Sequence, residues 1–166
     1  WLITPDVFAD ARGTFIRAWM PEELRARGLD ARIAQCSVAT NRRRGTLRGM
    51  HYQAGVFAEA KFVRVVRGAI YDVGMDVRRG SPTFGRWAGA ELTAENRYAM
   101  YLPAGVAHGY QTLADDTEVE YFVSAPYAPD QQCGVRWNDP AFAVGWPLGA
   151  PVVINERDAG YPDFRG

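Results

Sequence analysis

Gly45-Thr-Leu-Arg-Gly-Met-His-Tyr-Gln53 is an apolar, strand-like run with a histidine inside it, and ten residues after that histidine stands Lys61-Phe-Val-Arg-Val-Val66. In the second run a two-residue strand period puts Lys61 beside Val63 and Val65 on one face. The chain contains two histidines, and His51 is the first. A neutral imidazole takes and returns a proton near pH 7 without a large shift of its pKa. Arg48, three residues earlier, and Lys61, ten later, supply fixed positive charge where an anion could be held. A single histidine in such a run also reads as a buried side chain bonded to backbone. What favours chemistry is the rest of the chain.

Working outward, residues 1–17 read as a strand, a turn at Asp10-Ala-Arg-Gly13 and a second strand, Thr14 to Trp19. Pro21, then Glu22 and Glu23, then Arg25 and Arg27, then Gly28 predict a helix of about two turns, acid first and base last as its dipole favours. Ile33 to Thr40 reads as a strand, and Asn41-Arg-Arg-Arg-Gly45 as a loop whose arginines suit either a solvated turn or a phosphate-binding edge. Phe62 to Val73 predicts a hairpin turning at Arg67-Gly68. Ser81-Pro-Thr-Phe-Gly85 and Thr93-Ala-Glu-Asn96 read as turns flanking a strand from Arg86 to Leu92. Strands follow at Tyr98–Leu102, at Val106-Ala-His-Gly-Tyr110 around the second histidine, His108, and at Glu118–Ser124. In the last of these, Tyr121 shares a face with Val119 and Val123, opposite Glu118, Glu120 and Phe122. The aromatic-rich C-terminal third predicts an irregular segment covering a sheet.

Short strands with turn signals every 8–12 residues and one good helix argue an all-β jelly roll, a cupin-like double-stranded β-helix with a few short helices, as a single domain over residues 1–166. That length buries a core without disulfides or metal. Lys plus Arg equals Asp plus Glu at 19 each, so no overall field draws the chain to nucleic acid or a membrane surface. No run approaches the ~18 apolar residues of a membrane span. The start, Trp1-Leu-Ile-Thr-Pro, has neither the pattern of a signal peptide nor an initiator Met, as in a trimmed chain. Cys36 and Cys133 make no metal spacing and read as free thiols of a reducing cytosol.

A metal-dependent cupin needs several histidines and a carboxylate on one ion. Here His51 is followed by Tyr-Gln with no second histidine at i+2, and His108 is far away in sequence. A two-His, one-carboxylate site remains the minority reading, and no serine elbow or Cys/His signature is present. The inventory left is one imidazole, phenols at Tyr121 and Tyr127, Lys61, and carboxylates that could orient the ring. It suits moving a proton on and off carbon beside a carbonyl.

Asp10-Ala-Arg-Gly13, Gly45–Gln53, Lys61-Phe-Val-Arg64, Tyr71-Asp-Val73, Ser81–Gly85, Leu102-Pro-Ala-Gly-Val-Ala-His-Gly109, Trp137-Asn-Asp-Pro140 and Arg157-Asp158 occur in one order along the chain. In these motifs the sequence resembles the dTDP-4-dehydrorhamnose 3,5-epimerase family, nearly end to end. The resemblance implies a cytoplasmic jelly-roll homodimer acting on a nucleotide-linked 4-keto-6-deoxyhexose, with no metal and no cofactor. Matched to the family pattern, His51 falls at the proton-abstracting base, Asp158 at the carboxylate paired with it, and Tyr121 at the proton donor on the opposite sugar face. Lys61 falls beside the sugar 4-oxygen. Arg12, Arg48, Gln35, His108, Tyr127 and Arg157 fall among the substrate-binding positions, with Arg12 placed to reach the partner's pocket.

Four departures bear on specificity. Arg17 stands where an acidic residue is common in the family, at the nucleotide-base end. Cys36-Ser37 replaces a more polar pair in a segment one residue longer than usual, Phe122 replaces Lys, and Arg157 replaces Lys. These suggest a relative working on another deoxysugar, with inversion at C3, C5 or both. The reading of a different class is a binding module that keeps the sugar-nucleotide pocket without turnover.

Overall fold

The computed structural model describes residues 1–164. In chain order its strands are β1 (Leu2–Ile3), β2 (Val7–Asp10), β3 (Gly13–Ile16), β4 (Gln35–Asn41), β5 (Leu47–Gln53) and β6 (Lys61–Arg67). They continue as β7 (Ala69–Asp76), β8 (Trp87–Thr93), β9 (Ala99–Leu102), β10 (Val106–Thr112), β11 (Thr117–Val123) and β12 (Gln132–Gly134). Two short helices, α1 (Pro21–Ala26) and α2 (Glu156–Ala159), complete the elements that carry the argument. One five-stranded antiparallel sheet has the order β1-β9-β6-β11-β4 and the other β12-β5-β10-β7-β8, while β2 and β3 form a separate hairpin. This is the jelly-roll architecture.

The alternation of side chains explains the layering. From the first sheet Val63, Val65, Met100, Leu102 and Val119 point inward, and from the second Ile70, Leu92 and Tyr110 meet them. Each fully buried aliphatic side chain here contributes about 1.5–3 kcal/mol through removal from water. On the outer face of the first sheet, Phe62, Ala99 and Tyr101 are covered by Leu24 of α1 and by Ala31. On the outer face of the second, Leu47, Met50, Val73 and Met75 are covered by Val135, Phe142 and Trp146 from the irregular C-terminal segment. Trp146 and Trp87 donate their indole N–H groups to the carbonyls of Trp137 and Phe142, pinning that cover at 2.8 and 3.0 Å.

Two sequence readings are corrected. The stretch from Phe62 to Val73 is not a hairpin: β6 pairs with β9 and β11, and β7 pairs with β10 and β8, so the chain crosses between sheets at Gly68. Alternating β-branched residues satisfy either arrangement, since both bury one face of each strand. Gly68 permits the crossing at φ +78°, where a Cβ would lie 2.4 Å from Thr117 Oγ1 and 3.0 Å from Thr117 Cα. The second correction concerns the N-terminal strand, which is broken around Pro5 into β1, paired to β9, and β2, paired only to β3. The Pro21 helix, the turns at Ser81–Gly85 and Thr93–Asn96 and the covering segment lie where the sequence puts them. Both cysteines are free. No helix among the described residues is long and apolar enough to cross a membrane.

Candidate active site

The strands that face one another leave a cleft of about 320 Å³ between the sheets. Its walls include His51 from β5, Lys61 from β6, Tyr121 from β11 and Gln35 from β4, and Glu59, Tyr127 and Gln132 line it as well. A second cavity, of about 330 Å³, lies between the N-terminal hairpin and the outer face of the first sheet, and holds none of the candidate acid–base groups.

The His51 ring is held from behind. Its Nε2 lies 2.7 Å from Asp158 Oδ1, and the other carboxylate oxygen accepts the Gly49 N–H at 2.9 Å. Asp158 is buried in the first turn of α2, where Asn155 caps the helix by accepting the Asp158 N–H through its side chain at 2.7 Å. Burial pushes this carboxyl up, but the His51 hydrogen bond and charge, the Gly49 N–H and Asn155 outweigh it, so it lies below its ordinary value. An ionised Asp158 accepts only, so Nε2 carries the proton and Nδ1 is left free to act as base. Gly49 allows the geometry, because at φ +111° a Cβ would stand 2.5 Å from the His108 carbonyl oxygen. The Tyr161 ring closes the other side, edge-on to the imidazole at 6.2 Å between centroids.

Lys61 is the only lysine in the chain; the other eighteen basic residues are arginines. It is almost fully buried, and its ammonium donates to the His51 carbonyl at 3.0 Å and lies 3.2 Å from Glu59 Oε1. Burial pulls its pKa down, Glu59 and then Asp72 push it back, and the balance lies below the ordinary lysine value. One N–H donor is therefore engaged by the His51 carbonyl and the ammonium is ion-paired with Glu59, which leaves donor capacity for a ligand oxygen.

His108 lies directly across from His51 in the β5–β10 register, and its Nε2 is 2.7 Å from the buried Asp72 Oδ1. Thus each histidine already has its own carboxylate. Among the described residues no group of three or more His, Cys, Asp or Glu side chains is placed to hold a metal ion. Tyr127 donates to Gln132 Oε1 at 2.8 Å, and its N–H reaches Gln35 Oε1 at 3.4 Å. Arg157, exposed, has its pKa raised by hydrogen bonding to Tyr127 and the charge of Tyr161, which places it at the same rim.

Three predicted ligand contacts are not brought to this cleft within one chain. Arg12 lies at the tip of the β2–β3 hairpin, fully exposed and paired with Asp10 at 2.5 Å. Arg48 bonds Asn41 Oδ1 through Nε at 2.8 Å. The Arg42–Arg44 run follows the far end of β4, about 20 Å along that strand from Gln35 at ~3.3 Å per residue. Arg17 does not line the cleft either; its guanidinium stacks on Phe8 and Phe15 at 5.4 and 5.8 Å. Glu59, Asn155, Tyr161 and Asp72 were not singled out by the sequence reading. Glu59-Ala-Lys61 carried a signal, since residues two apart in a strand share a face.

Comparison with known proteins gives a consistent result. The family model described as dTDP-4-dehydrorhamnose 3,5-epimerase matches residues 1–166. A dTDP-4-dehydrorhamnose 3,5-epimerase of Sinorhizobium fredii is 42% identical over 163 residues, 98% of this chain and 84% of its own. The crystal structure of the Bacillus anthracis enzyme of that name, with TDP and PPi bound, superposes with a TM-score of 0.93 at 37% identity, covering 98% and 93% of the two chains. A 3'-monoepimerase from Streptomyces bikiniensis in complex with dTDP-quinovose gives 0.90 at 38% identity, covering 98% and 82%.

Proposed function

From the premise that the chain belongs to the dTDP-4-dehydrorhamnose 3,5-epimerase family, we propose that it epimerises a nucleotide-diphospho-4-keto-6-deoxyhexose through an enolate. The observation that carries this reading is the meeting of the His51–Asp158 pair, the Lys61 ammonium and the Tyr121 phenol in one cleft. A 4-keto group acidifies the neighbouring C3–H and C5–H bonds, because the carbanion left behind is an enolate. His51 Nδ1 removes the proton, and Asp158 stabilises the imidazolium formed, contributing about 10²–10⁴ in rate. Lys61 donates an N–H to the developing oxyanion, a contribution of about 10²–10³ for a preorganised donor.

Inversion needs a proton from the other face of the ring. Tyr121, on the sheet opposite His51, is the donor in this reading. Gln35, Tyr127 and Arg157 contact the sugar nucleotide at the rim, and His108 lies deeper beside Asp72. Arg12 serves the diphosphate from a partner subunit in a homodimer. The hairpin that carries Arg12 exposes Val7, Phe8 and Phe15 at 51, 51 and 59% of their surface, as a segment that packs on a second copy does. Free thiols suit a cytoplasmic enzyme of deoxysugar biosynthesis. A binding-only module has no use for a buried imidazole–carboxylate pair and a buried ammonium on the same cleft, both of which cost desolvation.

The test is incubation with dTDP-4-keto-6-deoxyglucose in deuterated water, reading label at each ring carbon by NMR. Deuterium at C3, C5 or both, with inverted product, is expected from the protein and absent from His51→Asn. Binding without exchange at either carbon overturns the catalytic reading.

A further inference from the structure

Glu59 is 7% exposed, lines the cleft, and has no counterpart in the mechanism above. It sits between a one-turn 3₁₀ helix at Gly55–Phe57 and the start of β6. Its position is fixed by its neighbour: Ala60 N–H donates to Ser124 Oγ at 2.9 Å, and Ser124 N–H to the Ala60 carbonyl at 3.0 Å. Strand alternation then turns Glu59, Lys61 and Val63 to the same interior face. One carboxylate oxygen is 3.2 Å from Lys61 Nζ, and the other, Oε2, is buried with no hydrogen-bond partner among the described residues.

That arrangement is poor for stability. A buried carboxylate with an unpartnered oxygen costs desolvation that a carboxamide or an apolar side chain of similar size would avoid. Packing and hydrogen bonding therefore do not explain it, and charge is what only a carboxylate supplies here. The receiver of that charge is the single side-chain amine of a chain that otherwise uses arginine for every cation. Unlike a guanidinium, an amine loses its proton readily when buried, so a lysine at this depth needs a nearby negative charge to stay protonated. The other groups around it are His51 on β5 with Asp158 behind it, Asp72 on β7 with its partner His108 on β10, and Tyr121 on β11. Asp72 and Asp158 are each committed to a histidine, which leaves Glu59 as the carboxylate in direct contact.

We propose that Glu59 is a positioning residue for Lys61: its charge holds the amine as an ammonium in a buried site, and together with the His51 carbonyl it anchors that ammonium where a substrate carbonyl oxygen can accept from it. This rests on the epimerase reading for its consequence, but not for its test. Burial lowers the Lys61 pKa and Glu59 raises it, so removing the charge lowers it further. Activity that needs the ammonium is present below the Lys61 midpoint and is lost as pH rises through it.

Because Lys61 is the only lysine, protein labelled with ¹³Cε-lysine shows one side-chain resonance, whose chemical shift reports the titration without substrate. Glu59→Gln is expected to lower its midpoint by ~1 pH unit or more, the scale of losing a close opposite charge. Glu59→Asp, which keeps the charge but withdraws it by one methylene, is expected to move it the same way by less, and it decides the matter should Glu59→Gln not fold. Deuterium exchange into the substrate is expected to lose its alkaline limb at correspondingly lower pH in Glu59→Gln, with kcat more affected than KM at pH 8. Superimposable Lys61 titrations in wild type and variants overturn the proposal. Wild-type protein that titrates as expected but never exchanges the substrate overturns the epimerase reading and leaves the Glu59–Lys61 relationship standing.

Discussion

His51 and Asp158, 107 positions apart, meet at 2.7 Å, and the carboxylate that orients the ring is itself tied to the strand carrying that ring through the Gly49 N–H. Ring, strand and carboxylate therefore form one rigid unit. Asp158→Asn tests which part of it matters. An asparagine can still accept from Gly49, but its amide N–H₂ then faces His51 Nε2 and favours the tautomer with the proton on Nδ1. The fold is expected to survive, with Tm close to wild type, while kcat for exchange and inversion falls by about 10³–10⁴, as for a wrong imidazole tautomer. Loss below ~10-fold, measured at saturating substrate, would show that Asp158 does not set the tautomer.

A second carboxylate carries a prediction about acid stability. Asp76, at the end of β7, accepts from Arg78 Nη2 at 2.7 Å and from the Ser81 and Thr83 hydroxyls, each at 2.6 Å. These contacts explain the Ser81-Pro-Thr-Phe-Gly85 motif as the clasp of the turn into β8. Arg78 holds the Asp76 carboxyl far below its ordinary value, with help from both hydroxyls against the effect of burial. A carboxyl depressed in the folded state stabilises above its unfolded pKa, near 4, and that stability is lost as pH falls through the folded value. Asp76→Ala is expected to lower stability by about 2 kcal/mol at pH 7, and to unfold with less pH dependence below pH 4 than wild type. Urea titrations at pH 7 and pH 3 check both, and a constant difference between the proteins at the two pH values would refute the linkage.

The N-terminal hairpin makes a separate prediction. Phe8 and Phe15 are half-exposed, pack on one another at 6.5 Å between centroids, and share the Arg17 guanidinium. If this arm packs on a second copy and carries Arg12 to its cleft, Phe8→Asp together with Phe15→Asp is expected to give a monomer at micromolar concentration. The monomer should keep its Tm within a few degrees and bind the nucleotide diphosphate at least ~10-fold more weakly, the scale of a lost charge-assisted contact. Sedimentation and calorimetry read the two effects. A wild-type monomer with full activity would remove the shared cleft.

How far these features were legible in the sequence depended on whether they were local. Lys61 and Tyr121 could be read because strand alternation assigns a face to each, His51 because it is one of two histidines and lies in a strand-like run between Arg48 and Lys61, and Asp158 because its motif follows the family pattern. The crossing at Gly68 could not, since alternation says which face is buried but not which strand lies alongside. The placement of Arg12 was equally hidden, because a hairpin paired as a strand only to itself has no neighbouring strand whose register fixes where it points. Glu59 was visible as one half of an i, i+2 pair with Lys61, but its burial depends on Ala60 meeting Ser124, 64 residues away.

The last prediction separates the two faces of the sugar. Tyr121 projects from β11 into the cleft on the same inner face as Val119, and β11 lies in the sheet opposite the one that carries His51. If His51 removes a proton and Tyr121 returns one from the other side, the two residues fail differently. His51→Asn is expected to abolish both deuterium exchange and inversion, because no enolate forms. Tyr121→Phe keeps the base, the Asp158 orienter and the Lys61 ammonium, so the enolate still forms and His51 hands its proton back to the same face. That variant should wash deuterium into the substrate while inversion falls by ~10² or more, the usual effect of removing a positioned acid. Tyr127 is the other phenol on the cleft, but its hydroxyl already donates to Gln132 at 2.8 Å. The Tyr121→Phe, Tyr127→Phe double variant should therefore behave as Tyr121→Phe alone. Inversion at the wild-type rate by the double variant, read by NMR beside exchange, would assign the acid to another group. Partial inversion by Tyr121→Phe that disappears in the double variant would make Tyr127 a second donor.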